Sequence, residues 1–259
     1  MIFTRYILLL LSVSIFAQES IETTFIKKTD YTADTLVSID NFGTEFYVNN
    51  TIFYKKDAKK TISYNNFQLG ELHNVNTFNP LKINLFYKDF NTVVILDNRL
   101  AEIFKLDFNA LSDYKNVSFV STGHDNTLWI FNQDFQQLEL FDYKNLSTRA
   151  QTAPVQSQVL DLKSNYNYCW LLTKKHLYIY NYFGGLVKKI TNDGYTALTE
   201  NNGNIILKKE QSLYYLDGKT HNIKSVKIPN LLINAFFVTN ETLYIYDNET
   251  LQEFQLKIN

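Results

Sequence analysis

An all-β fold is predicted by three features of this sequence. Short runs of about five to seven residues rich in Val, Ile, Leu, Phe and Tyr recur along the whole chain, and Asn, Asp, Gly or Lys separate them. No long stretch places its apolar residues at the 3.6-residue period that an amphipathic helix requires. Apolar residues make up 45% of the 259 residues, which is enough to bury a core. We therefore expect strands and turns throughout the domain.

The strand-like runs recur in pairs. The first run of each pair is an apolar string, found at Thr44–Asn50, Asn91–Asp97, Asn126–Asn132, Asn167–Thr173 and Gly203–Lys209. The second run follows closely and, from the second pair on, ends at residues 35, 39 and 36 positions apart, namely Asp107, Asp142, Asn181 and Asp217. An alternating strand precedes each pair and a more polar strand follows it. Four strands in about 40 residues, without helices, are typical of the blades of a β-propeller.

The two ends of the chain are expected to share one blade. The last three strand-like runs are Asn234–Asn240, Glu241–Asp247 and Leu251–Lys257, and a fourth lies near the start of the chain at Glu22–Lys28. Pairing them would close the ring and remove an open edge. The sequence thus predicts six four-stranded blades, the last one closed by the N-terminal strand, with five or seven blades as alternatives.

Several units resemble the repeat of pyrroloquinoline-quinone-like (quinoprotein-like) propellers, in which Leu-Tyr-x-Leu-Asp precedes a turn and another strand. The similarity rests on Ser212–Thr220 (SLYYLDGKT), Thr242–Thr250 (TLYIYDNET) and His176–Asn181 (HLYIYN). Thr127–Asn132 is also similar to a strand of periplasmic sensor propellers. The Gly…Trp that closes each quinone-like repeat is missing, so the resemblance implies a propeller fold and implies nothing about a cofactor.

Residues 1–17 are expected to be a secretory signal peptide. Arg5 supplies the positive charge, the apolar run Tyr6–Phe16 is too short to span a bilayer, and Ala17 suits a cleavage site. A short N-terminal membrane anchor is the alternative. The mature protein would be a single domain, 18–259, without a transmembrane segment. The excess of Lys over Arg and the many Asn, Phe and Tyr residues resemble envelope proteins of the Bacteroidetes, which implies the periplasm, the outer membrane or the cell surface.

The composition argues against most catalytic and cofactor-binding roles. With 25 Lys+Arg and 26 Asp+Glu, the net charge of −1 provides no field for a nucleic acid. One Cys and four His are too few for a thiolate or imidazole metal cluster, and eight Gly are too few for glycine-rich phosphate loops. No nucleophile elbow or HExxH motif is present. We expect no catalytic residue, no metal and no cofactor; a hydrolase or lyase whose groups converge from different blades is the less favoured alternative.

Five residues are candidates for a partner-binding surface. The segment Asn65–Leu81 reads as an insertion between the first two units, and long loops on a rigid scaffold often bind partners. Its candidate residues are Phe67, His73, Phe78 and Asn79. The fifth candidate is Arg99, whose planar guanidinium suits a carboxylate or a phosphate. A solvated turn, or a local pairing of Arg99 with Asp97, is the alternative.

The function predicted from this pattern is a non-catalytic, exported scaffold that binds a protein partner in the bacterial cell envelope. A ring of repeated blades without a concentration of ionisable groups favours binding over catalysis. Binding of a glycan or another small ligand on one propeller face is the alternative, and a shelf of exposed aromatic residues around a pocket would favour it. The 20 Phe and 18 Tyr residues could build such a shelf or the core. Cys169, inside an apolar strand, is expected to be buried and inert.

Overall fold

The computed structural model describes residues 20–258, and their regular structure consists of 24 strands and two 3₁₀ turns. The all-β prediction is confirmed. The expected signal peptide, residues 1–17, lies outside the described residues.

Four of the sheets contain four strands each, in chain order, and every neighbouring pair within them is antiparallel. Sheet 1 contains β2 (Thr35–Ile39), β3 (Glu45–Asn49), β4 (Ile52–Lys56) and β5 (Thr61–Tyr64). Sheet 2 contains β6 (Asn74–Asn76), β7 (Ile83–Tyr87), β8 (Thr92–Leu96) and β9 (Glu102–Asp107). Sheet 3 contains β10 (Val117–Thr122), β11 (Thr127–Asn132), β12 (Gln137–Asp142) and β13 (Ser147–Gln151). Sheet 4 contains β14 (Val159–Ser164), β15 (Tyr168–Thr173), β16 (His176–Asn181) and β17 (Leu186–Thr191).

The fifth sheet has eight strands in the order β18-β19-β20-β21-β1-β24-β23-β22. One half contains β18 (Ala197–Asn201), β19 (Asn204–Lys209), β20 (Ser212–Leu216) and β21 (Ile223–Val226). The other half contains β22 (Ala235–Thr239), β23 (Thr242–Tyr246), β24 (Thr250–Lys257) and the N-terminal strand β1 (Ser20–Asp30). The two 3₁₀ turns, Phe67–Leu69 and Phe108–Ala110, lie in the connections that follow β5 and β9.

The prediction of six separate four-stranded blades is wrong, because the strands form four such sheets and one eight-stranded sheet. The reason is the length of β1. Its residues from Glu22 on pair antiparallel with β24, but the strand begins two residues earlier. There Ser20 and Ile21 pair in parallel with Ser225 and Val226 of β21. Strand β1 is therefore hydrogen-bonded to both halves, which form a single sheet.

The sheets are arranged around a central axis in a propeller-like ring. We call β2, β6, β10, β14, β18 and β22 the inner strands, because they meet at that axis. Contacts join β6 to β10, β10 to β14, β14 to β18, β18 to β22, and β22 to β2. The last gap, between β2 and the turn after β6, is bridged by a hydrogen bond between Ser38 Oγ and Thr77 Oγ1 at 2.7 Å. The ring is therefore closed.

Apolar clusters fill the space between neighbouring sheets. Strands in the middle of a sheet are covered on both faces; β7 and β8, for example, are buried at every position. The outermost strand β17 is exposed at nearly every position and carries Lys188 and Lys189, charges that discourage pairing with another chain. The core is thus a series of apolar layers between sheets.

In the second unit, the predicted order of strands is shifted by one strand, and the predicted insertion is wrong. The apolar string Asn91–Asp97 contains β8, the third strand of its sheet, and not the second. The segment Asn65–Leu81 is consequently not one long loop, because it contains the inner strand β6. Both β7 and β8 are apolar strings, so their pattern alone does not distinguish the second strand from the third.

In five of the four-strand units, the side chain at the end of the third strand fixes the next turn. Its oxygen accepts hydrogen bonds from two backbone N–H groups further along, which holds the turn in one conformation. This arrangement occurs at Asp57, Asp97, Asp142, Asn181 and Asp217, and Asp247 makes the same contacts after β23, the second strand of its half of the sheet. The recurring Asp and Asn residues are therefore turn residues. Asp107, the predicted equivalent in the second unit, instead caps the 3₁₀ turn that begins at Phe108.

Candidate functional site

A cavity of about 400 Å³ opens at the end of the ring where the inner strands end. We call this the pocket end. Because strands alternate in direction within a sheet, the turns after the first and after the third strand of each sheet lie at this end. The turns after the second strands and the connections between sheets lie at the opposite end. The cavity is lined by the last residues of β2, β6, β14, β18 and β22 and by the turns that follow β2 and β6.

A buried hydrogen-bond network holds three inner strands together beside the cavity. Asn76 Nδ2 donates to Ser121 Oγ at 3.0 Å, and Thr122 Oγ1 donates to Asn76 Oδ1 at 2.9 Å. Ser164 Oγ donates to Ser121 Oγ at 2.7 Å, and Asn84 Nδ2 donates to Thr122 Oγ1 at 2.9 Å. All but Asn76 are buried. The network fixes β6, β10 and β14 in position.

Two further hydrogen bonds close the wall on the other side. Ser38 and Thr77 share the hydroxyl contact that bridges β2 to the turn after β6. Thr239 Oγ1 of β22 donates to the carbonyl oxygen of Ile39 in β2 at 2.6 Å. The cavity wall is thus polar, and it is built from groups that also hold the sheets to one another.

Glu200, in β18, provides a carboxyl group in the cavity wall. Its Oε1 accepts hydrogen bonds from Asn165 Nδ2 and from the backbone N–H of Gly203, both at 2.8 Å. Burial raises the pKa of Glu200, and the two hydrogen bonds only partly offset that effect. Both hydrogen bonds end on Oε1.

Aromatic side chains stand at the mouth of the cavity. Phe42, in the turn after β2, is 94% exposed and lines the cavity. Phe78, in the turn after β6, lines it on another side and is 41% exposed. Tyr166, in the turn after β14, meets Phe78 edge to face, with ring centroids 4.9 Å apart. The mouth therefore combines exposed apolar rings with the polar wall below them.

A second aromatic cluster lies at the same end on sheets 3 and 4. His124, in the turn after β10, meets the ring of Tyr182 at 5.4 Å. Tyr182 packs on Phe183 at 3.9 Å, and Phe183 is 70% exposed. His124 Nδ1 is buried and finds no hydrogen-bond partner within residues 20–258. We call His124, Tyr182 and Phe183 the outer aromatic cluster.

The five predicted site residues are divided between the two ends of the ring. Phe78 lines the cavity, and Asn79 Oδ1 accepts a hydrogen bond from the backbone of the same turn. Arg99 also lies at the pocket end, in the turn after β8, where its Nε is 3.5 Å from Asp97 Oδ2. Phe67 and His73 lie in the connection between sheets 1 and 2, at the opposite end. The structure therefore does not join these residues into one surface.

His73 and Phe67 differ in their surroundings. The ring of His73 meets Phe86 edge to face at 6.2 Å, and partial burial lowers the pKa of His73. Phe67, at the start of its 3₁₀ turn, is 87% exposed. Phe67 thus provides a solvent-exposed aromatic side chain far from the pocket end.

Sequence reasoning missed Phe42, Tyr166 and Glu200. The two aromatic residues had a readable signal, because each lies in a polar turn between Asn residues or beside Gly, where an apolar side chain has no core to enter. Glu200 had no such signal. It lies in an ordinary strand, and only the closed ring brings it to the cavity.

A further cavity of about 640 Å³ lies between sheets 4 and 5. It is lined by Tyr168, Trp170, Tyr215 and His221, among others. Trp170 and Tyr215 are buried in the layers between sheets, so this cavity is a gap beside the core.

Neither a metal-binding cluster nor a membrane-spanning helix occurs in the described part of the chain. Within residues 20–258, no group of three or more His, Cys, Asp or Glu side chains is arranged as a metal site. Over the same residues, no helix has the length and apolar character needed to cross a membrane. Cys169 is fully buried as predicted, and burial raises the pKa of its thiol well above the ordinary value.

Comparison with known proteins identifies the fold. No family model and no curated protein matches this sequence. A catalytically inactive virginiamycin B lyase from Staphylococcus aureus with quinupristin superposes with a TM-score of 0.60 at 12% identity, covering 84% of this chain and 78% of the lyase. The Pan2 WD40 domain of Neurospora crassa gives 0.56 at 9% identity, covering 82% and 72% of the two chains. A chain of the mitotic checkpoint complex gives 0.58 at 11% identity, covering 97% and 98%. These likenesses show a β-propeller fold and nothing further.

Proposed function

We propose that this protein is a non-catalytic, exported binding propeller that holds a protein partner of the bacterial cell envelope on its pocket end. The observation that carries this proposal is the pair of exposed aromatic groups at that end. One is Phe78 with Tyr166, and the other is the outer aromatic cluster. Aromatic side chains are enriched in protein interfaces, where a few residues, often Trp, Tyr or Arg, provide most of the binding energy.

The aromatic side chains are attached to rigid turns. Asn181 fixes the turn that carries Tyr182 and Phe183, because its Oδ1 accepts hydrogen bonds from the backbone N–H groups of Phe183 (3.0 Å) and Gly185 (2.9 Å). Asn165 does the same for the turn that carries Tyr166. A partner that binds here would lose little free energy in ordering the loops, which favours stable association.

Export to the envelope is supported by the sequence alone. The charged start, the short apolar run and the small residue at position 17 have the pattern of a cleaved signal peptide. Fractionation of the source bacterium tests this part directly. Recovery of a processed protein from the periplasm or outer membrane is expected, and recovery of the full-length chain from the cytoplasm would refute it.

The partner contact is tested by isolating native complexes. The tagged protein is purified from gently solubilised envelopes, and the stoichiometry of what accompanies it is measured by light scattering and mass spectrometry. Replacing both Tyr182 and Phe183 by Ala is expected to lower recovery of the partner about tenfold, as the loss of an interface hot spot does.

Phe67→Ala is the matched control. It removes another exposed aromatic side chain, at the opposite end of the ring, and should leave recovery unchanged. Loss of the partner in this control alone would move the contact to the opposite end. Failure to recover any stoichiometric partner would refute the scaffold function.

Binding of a glycan or small ligand is the second candidate, and a separate observation favours it. The cavity at the pocket end has a polar wall and an aromatic mouth, the combination expected of a ligand site. The likeness to a lyase concerns the fold and assigns no reaction to this chain.

A further inference from the structure

We propose that the cavity at the pocket end binds a neutral sugar unit, with its ring against Phe42 and Phe78 and its hydroxyl groups on the polar wall. This inference deepens the second candidate function. Phe78 belongs to both proposed surfaces, so the partner contact is tested through Tyr182 and Phe183, which do not line the cavity.

The size of the cavity suits one or two sugar units. Its volume of about 400 Å³ lies at the lower end of the range found for small-molecule sites. It is open at the pocket end, so the terminal unit of a longer chain could enter while the rest stays in solvent. The inner strands surround it and are held together by the hydrogen bonds described above.

The mouth of the cavity matches the apolar side of a sugar. A pyranose ring presents C–H groups on its faces, and the electron-rich face of an aromatic ring attracts them. Phe42 and Phe78 are both exposed and both line the cavity. Tyr166 supports Phe78 edge to face at 4.9 Å and so limits the rotation of its ring.

The wall of the cavity matches the polar side of a sugar. Each sugar hydroxyl both donates and accepts hydrogen bonds, and so do the amide and hydroxyl side chains of proteins. Such side chains dominate the polar lining, and the carboxyl of Glu200 lies among them. Six of them are Asn41, Asn74, Asn76, Thr199, Asn201 and Asn202.

The charges at the cavity point to a neutral ligand. Its charged lining residues are Asp40, Lys163 and Glu200. Asp40 Oδ1 is occupied by two backbone N–H groups of its own turn, and Lys163 Nζ pairs with Asp161 at 3.2 Å. Glu200 has a raised pKa because of its burial. The wall therefore lacks the cluster of unpaired cations that a phosphate or carboxylate ligand needs.

Binding is tested with the purified protein and free sugars. The probes are the methyl glycosides of glucose, galactose, mannose and N-acetylglucosamine, with glucuronate and glucosamine as charged counterparts. Saturation-transfer NMR detects weak binding, and calorimetry measures the affinity. At least one neutral glycoside is expected to bind, and to bind more tightly than either charged sugar.

Two variants test whether the sugar binds in the cavity. Phe42→Ala and Phe78→Ala are each expected to weaken binding about tenfold, since each removes a stacking surface. Both side chains are exposed, so the fold should survive. Phe135→Ala is the matched control, because Phe135 is 60% exposed and lies in the turn between β11 and β12, at the opposite end.

Three results would overturn the inference. The first is that none of the neutral glycosides binds. The second is that binding is unaffected by either cavity variant or is equally weakened by Phe135→Ala. The third is that a charged sugar binds most tightly. None of these results bears on the protein partner, which is tested by the variants of Tyr182 and Phe183.

Discussion

The buried ion pair between Lys115 and Glu139 should be necessary for the stability of the ring. Lys115 Nζ lies 2.8 Å from Glu139 Oε2, and both side chains are almost fully buried, at 5% and 2% exposure. Glu139 lies in β12, while Lys115 lies in the connection that precedes β10. Asp113, 80% exposed, is a second partner of Lys115 at 2.9 Å. The pair thus anchors the connection between sheets 2 and 3.

Both members of the pair are charged in the folded state. Burial alone would raise the pKa of Glu139, but hydrogen bonds from Lys115, Thr148 and Asn132 outweigh it and lower the pKa. Burial would lower the pKa of Lys115, but its hydrogen bonds to Glu139 and Asp113 raise it. Removing one charge therefore leaves the other buried without its main partner.

Replacing Glu139 by Gln removes the negative charge and keeps the size of the side chain. The Gln oxygen can still accept the hydrogen bond from Asn132, and the Thr148 hydroxyl, which now donates to the other carboxylate oxygen, can accept one from the Gln amide group. At 2.8 Å and an effective dielectric constant of about 20, the lost attraction is about 6 kcal/mol. Relief from burying the carboxylate returns part of this, and Asp113 still contacts Lys115. We expect a net loss of about 3 kcal/mol in the free energy of unfolding.

Urea unfolding followed by tryptophan fluorescence measures this loss. The only two tryptophans, Trp129 and Trp170, are both buried, so their emission should shift to the red when the ring opens. The double variant Lys115→Met/Glu139→Gln should lose less than the sum of the two single variants, by about 2 kcal/mol or more. The control Lys56→Met, which breaks a surface pair, should cost under about 1 kcal/mol. A loss below about 1 kcal/mol for Glu139→Gln, or strict additivity in the double variant, would refute the reasoning.

Three further predictions concern buried or closely packed groups. Cys169 should not react with a thiol reagent in the folded protein and should react fully in denaturant, since burial raises the pKa of its thiol; reaction in the native state would show that β15 opens. The pKa of Asp142 is lowered to about 2, because hydrogen bonds from Asn145 and Arg149 outweigh its burial. Ionised Asp142 should contribute about 2 kcal/mol to the free energy of unfolding. This contribution should be complete above about pH 4 and lost as the pH falls towards 2. Asp142→Asn should therefore lower the urea midpoint at pH 7 but much less near pH 2. Gly123→Ala should cost about 1–3 kcal/mol, measured in the same urea assay, because its Cβ would lie 2.3 Å from the hydroxyl oxygen of Thr127; a neutral effect would show that the turn can shift freely.

Much of the fold could be predicted from local patterns. Apolar runs of about six residues separated by Asn, Asp and Gly identify strands and turns, because alternation of side chains and turn chemistry are properties of adjacent residues. Four-strand periodicity indicated a propeller, which the comparisons confirm. The position of β8 in its sheet was predicted wrongly because β7 and β8 are buried on both faces. Such strands show no alternation of apolar and polar residues, so the local pattern does not distinguish them.

The eight-stranded sheet depended on tertiary structure. Whether β1 ends at its pairing with β24 or extends to β21 is decided by two residue pairs, Ser20 with Ser225 and Ile21 with Val226. No local pattern marks these pairs, because any extended segment with free N–H and C=O groups could form them.

The candidate site shows most clearly which features follow from the sequence and which require the tertiary structure. The sequence by itself determined that this chain forms strands and that its turns carry Asp and Asn. Only the closed ring decided that Phe42, Phe78 and Glu200, up to 158 positions apart, line one cavity. The physical reason is that strand formation depends on neighbours in the chain, whereas convergence at the axis depends on which sheets pack side by side when the ring closes.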